Sequence, residues 1–152
     1  FKKYTSYKDS VQYGTSITEQ TEINFILLRY ADVLLMYAEA QNEAIGPDDS
    51  VYSALNEIRS RAGMPNIEPN LSKVQLRELI RLERRVEFAN EALYYQDIKR
   101  WRIAENVMND VVKDFKGNVI QERTFNPDRD YLWPIHDITI QQNPNLLQNP
   151  GY

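Results

Sequence analysis

At 152 residues, with 26% charged side chains and a formal net charge of −4, the chain is the size of one domain and shows no electrostatic footprint for nucleic acid or anionic lipid. It has no cysteine and one histidine, which excludes a disulfide framework, thiolate chemistry and a zinc cage, so neither metal nor cofactor is expected. No apolar run approaches the ~18 residues of a membrane-spanning helix, and the first residue is Phe rather than Met, so the chain reads as part of a longer one.

Residues 1–23 are polar with scattered aromatics (Tyr4, Tyr7, Tyr13) and Gly14, and read as a lead-in segment with room for one short strand. From Asn24 to about Ala44, Leu27, Ala31, Leu34 and Ala38 recur at helical spacing, and apolar residues on the other faces predict a helix enclosed by neighbours. Gly46-Pro47 ends it. Asp48, Asp49 and Ser50 supply cap oxygens for a second helix with Val51, Leu55, Ile58 and Ala62 on one stripe, stopped at Gly63 and Pro65. A third helix opens on the capping box of Ser72 and Gln75 and runs to about Asn90. A fourth is predicted over 92–108, anchored by Leu93, Ile98 and Trp101. In 109–130, Val111-Val112 and Val119-Ile120 flank Lys116-Gly117-Asn118, which predicts a small hairpin or irregular loop.

Residues 131–152 keep supplying apolar side chains while Pro134, Pro144 and Pro150 bar a through-going helix. An extended tail packed on the helices, with Trp133 more than half buried, is therefore expected. The whole is a mainly α chain of paired helices with short turns, the unit from which helical solenoids are built.

Glu83 falls inside an arc formed by Leu76, Leu79, Ile80, Leu82, Val86 and Ala89, so its carboxylate is expected to be buried and paired. One reading pairs it with Glu87 or Glu91 as a glycosidase acid/base couple. The favoured reading is structural, a salt bridge to Arg59, with Arg61 and Arg100 behind. Trp101 and Trp133 read as buried packing anchors. His136 reads as a surface residue, and Asp128-Arg129-Asp130 as a solvated turn rather than a calcium loop.

RYADVLLMYAEA (29–40), ALNEIRSRAGMP (54–65), ERRVEFANEALYYQDIKRW (83–101) and the ending YLWPIHDITIQQNPNLLQNPGY (131–152) together resemble the C-terminal part of the SusD/RagB family. Two departures are local: His136 stands where the family usually has Pro, and Ala92 where it often has Gly after Glu91. The resemblance implies tetratricopeptide-like helix pairs and a non-catalytic role. It implies capture of an oligosaccharide at the external face of an outer membrane and its delivery to a SusC-like TonB-dependent transporter. A lipid anchor upstream of Phe1 would make the only membrane attachment. The glycan-contacting residues would lie mostly upstream too, leaving Tyr7 and Tyr13 as the candidates within this chain. The competing readings are a helical-repeat scaffold for a protein or peptide, and third, a glycoside hydrolase.

Overall fold

The computed structural model describes residues 26–152. The lead-in segment 1–23, with Tyr7 and Tyr13, lies outside the described residues. The chain divides into two compact units, one ending at Ile80 and one beginning at Arg81.

In the first unit, α1 (Tyr30–Ala44) packs against α2 (Asp49–Arg61) across a short turn, as the pairing of helices predicts. The helix begins at Tyr30, later than the expected Asn24. Arg29 takes the extended N-cap conformation (φ −136°, ψ 159°), and Asp32 in the first turn sits where the helix dipole favours an acid. Leu35 and Ala38 of α1 meet a core made with Val51, Ala54, Leu55 and Ile58 of α2, all buried. Gly46, at φ 115°, makes the turn, and Asp48 Oδ1 accepts the backbone N–H groups of Ser50 and Val51 to cap α2. At the other end Gly63 (φ 71°) closes α2 in a Schellman motif, with Met64 N–H bonded to the Arg59 carbonyl and Gly63 N–H to that of Ser60. Helix α3 (Lys73–Glu87) opens on the expected box, Ser72 N–H donating to Gln75 Oε1 and Gln75 N–H to Ser72 Oγ. Buried Asn42 donates to the Lys73 carbonyl at 3.1 Å and so holds the start of α3 against α1.

The second unit holds the end of α3, α4 (Tyr94–Arg100), α5 (Ala104–Met108), the antiparallel hairpin of β1 (Asp110–Lys113) and β2 (Val119–Arg123), and α6 (Asp137–Gln142). The single helix expected over 92–108 is therefore two. Arg102 takes a left-handed φ of 54° at the break. Arg102 N–H bonds the Lys99 carbonyl and Ile103 N–H that of Ile98, the same Schellman pattern that Gly63 makes, here closed by an arginine. The hairpin pairs Asp110 with Arg123, and Asp114 ties its turn by accepting from Lys116 and Asn118 N–H. A small core joins Ile98, Ala104 and Phe125, with Tyr131 set edge-on to Phe125 at 4.9 Å.

The tail departs from a simple extended strap. It contains α6, whose N-cap is His136, its Nδ1 accepting from Ile138 N–H. Outside that helix its two ends are clipped together by amides: Gln148 bonds both the N–H and the carbonyl of Ile135, and Asn149 Nδ2 donates to the Trp133 carbonyl. The polar residues of the Asn-Pro-rich ending thus satisfy backbone groups that no helix or sheet provides for. Gly151 is required there, because a Cβ at its position would lie 2.9 Å from the Arg129 side chain.

Candidate functional site

The buried stripe of α3 is rotated from the arc expected of it. Leu76, Ile80, Arg84 and Phe88 are buried at successive four-residue steps, whereas Leu82 and Val86 are exposed. Glu83 consequently lies partly buried at the edge of that stripe, and the fully enclosed charge is Arg84 next to it. Arg84 meets Asp97 of α4 through two bonds, Nε to Oδ2 at 3.0 Å and Nη2 to Oδ1 at 3.2 Å, with both side chains about 5% exposed. Arg100 adds a third bond, Nε to Asp97 Oδ1 at 2.9 Å. A carboxylate between two guanidinium forks is fully supplied with donors, which is a structural arrangement.

Arg100 therefore belongs to an ion-pair network centred on Asp97. Arg59 directs its Nε to the Pro65 carbonyl at 2.7 Å, and Arg61 is exposed. A bridge from Glu83 to any of the three stays a proposal, for which a double-mutant cycle is the test.

Both tryptophans are more open than expected. Trp101 is partly buried and has the Arg81 and Arg100 guanidiniums 5.1 and 4.9 Å from its ring centre. Trp133, expected to be mostly buried, is 66% exposed. Tyr95 meets its ring edge-on at 6.2 Å and the Lys99 ammonium lies 5.3 Å from its centre, so the aromatic is held by α4 while one side faces outward. Apart from Tyr131, the residues that bound the hollow beside it, Gln96, Lys99, Arg100 and Arg102, are polar or charged.

Nearby, Tyr131 donates its hydroxyl hydrogen to Glu105 and accepts from the buried Ala104 N–H at 3.1 Å. Burial, then the Glu105 contact, pushes the Tyr131 hydroxyl above its ordinary range, and the same bond holds the Glu105 carboxyl below its own. In the first unit a cleft of about 740 Å3 is bounded by Asp48, Asp49, Tyr52, Ser53, Asn56 and the 67–73 loop. There Tyr52 Oη and Asn56 Oδ1 accept from Leu71 and Ile67 N–H, which fixes the loop. His136 is exposed at its cap, and Arg129 and Asp130 pair at 2.6 Å in a surface turn. Among the described residues there is no grouping of three or more metal-ligating acids or histidines and no helix long and apolar enough to cross a membrane.

Comparison with known proteins gives one consistent result. The sequence model described as the SusD family matches residues 1–152. SusD-like protein P2 of Formosa agariphila is 34% identical over 142 residues, covering 88% of this chain and 27% of that protein, and SusD-like protein P25 of the same organism is 34% identical over 136 residues, covering 85% and 25%. The chain thus spans about a quarter of the length of the curated relatives it matches. Among solved structures, a SusD-like protein from Bacteroides fragilis shares 38% identity at a TM-score of 0.72, covering 85% of this chain and 26% of that one. A SusD-like carbohydrate-binding protein, also from Bacteroides fragilis, shares 32% identity at a TM-score of 0.70, covering 80% and 28%.

Proposed function

This chain belongs to the SusD family, and from that premise we propose that the full-length protein captures an oligosaccharide outside the cell and passes it, chemically unchanged, to a TonB-dependent transporter. The observation behind the reading is the family match along all 152 residues, supported by the similarity to a solved carbohydrate-binding relative. A lipid anchor would hold the protein on the external face of the outer membrane, beside a SusC-like partner. The main aromatic platform for the glycan is assigned to sequence upstream of Phe1, with Tyr7 and Tyr13 as peripheral contacts. Truncating either tyrosine should cost at most about 1 kcal/mol of affinity, below the ~2 kcal/mol of a binding hot spot.

A glycan array followed by calorimetry of the full-length protein tests this. Saturable binding of one glycan class, with the glycan recovered intact, is the expected result, and a transporter should co-purify from membranes. Hydrolysis of the bound glycan that disappears in Glu83→Gln would instead establish a glycosidase. Equal affinity of the full-length protein and of residues 1–152 would relocate the main platform into this chain.

A further inference from the structure

The hollow beside Trp133, about 330 Å3, is bounded by Gln96, Lys99, Arg100, Arg102, Tyr131 and Trp133. It combines an outward-facing indole with three cations. Lys99 sits 5.3 Å from the ring centres of both Tyr95 and Trp133, and the Arg102 guanidinium 4.4 Å from that of Tyr131. Arg102 reaches that place from the left-handed position that closes α4. Of the neighbouring acids, Asp97 lies between Arg84 and Arg100, Asp130 pairs with Arg129 and also acts on Lys99, and Glu105 accepts from the Tyr131 hydroxyl and also acts on Arg102, so the cations named on this face still outnumber its acids.

Resting on the capture reading above, we propose that this face is a subsite for an acidic sugar, one bearing a carboxylate or sulfate. The C–H face of the sugar ring would lie on Trp133, its anionic group would meet Lys99 and Arg102, and the Gln96 amide would serve a hydroxyl. Cations set on aromatic faces keep their charge and orientation, so an anion arriving there finds donors already placed. A protein surface covering this hollow would have to desolvate the same cations, and it fits only if it brings acids of its own.

The test is calorimetric titration of the full-length protein with oligogalacturonate and with its methyl-esterified form, which share a sugar backbone and differ in charge. The acidic form should bind about tenfold more tightly, through two partly exposed charge contacts, and its advantage should shrink as salt rises. Lys99→Gln should lower that advantage, as should Arg102→Gly, a change that suits the left-handed backbone and so spares the fold. Trp133→Ala should weaken both forms. Equal affinity for the two forms, binding of neither, or an undiminished preference in both cation variants would overturn the subsite. Binding of a neutral glycan from the array would in each of those cases leave the capture reading standing, so the two ideas fail separately.

Discussion

Arg84 and Asp97 show how one residue's difference in helical phase changes what a side chain does. Glu83 lies within the apolar arc drawn from the sequence, yet packing selects the stripe through Leu76, Ile80, Arg84 and Phe88. Leucines and valines occur on more than one side of α3, so the apolar pattern alone leaves its phase open by about one residue's rotation. Removing Arg84 leaves the buried Asp97 with only the half-exposed Arg100 as partner: Arg84→Ala should cost about 3 kcal/mol, the low end for breaking a buried pair, and Arg84→Met with Asp97→Leu should recover much of that. Chemical denaturation of the two variants checks it, and a double variant no better than the single one would sink the argument. Ala92 offers the opposite case. Its φ of 60° is left-handed, and the family resemblance marks the position as one where glycine is common. Ala92→Gly should therefore stabilise the protein by about 0.5–1 kcal/mol, the relief of Cβ strain being partly offset by the greater freedom of the unfolded chain. A lowered melting temperature would contradict this.

Helix ends were legible wherever a side chain or a glycine makes the cap. Asp48, Ser72 with Gln75, and Gly63 all terminate helices where the sequence places them. The break at Arg102 and the start of α6 at His136 were not, because neither residue type signals a cap: an arginine closes one helix in a conformation typical of glycine, and an imidazole nitrogen opens the other. The α2 cap has a consequence for pH. Bonds from Gln41 first, then from Ser50 and the Val51 backbone, lower the Asp48 carboxyl from 3.8 to about 2. A group whose folded pKa is depressed contributes stability that is fully present above its unfolded value and is lost as pH falls through the folded one. The cap should therefore act in full at pH 5 and weaken between roughly pH 4 and pH 2. Asp48→Ala should destabilise the protein at pH 6 and make little difference at pH 2, a convergence that thermal melts at the two pH values can show or refute.

At the scale of the molecule, family and helical class were legible because four motifs recur in order, whereas the balance of covered and uncovered surface depends on tertiary packing that no local pattern reports. The second face of α1 illustrates the gap. Its apolar residues on several sides predicted a helix enclosed all round, but Tyr30, Val33, Met36 and Tyr37 are 63%, 45%, 46% and 46% exposed, while Leu35 and Ala38 are fully buried. An outward apolar stripe of this kind, on a helix whose inner face already packs on α2, favours adsorption of other apolar surfaces. The 152-residue chain produced by itself should therefore bind a hydrophobic dye such as ANS and self-associate as its concentration rises. Val33→Glu with Met36→Lys, both exposed, should reduce dye binding and self-association together and leave the melting temperature nearly unchanged, since substitutions away from the core usually stay within about 0.5 kcal/mol. Dye fluorescence and sedimentation velocity on the two chains decide the matter: dye binding that persists undiminished in the double variant would show that the adhesive surface lies elsewhere than on α1.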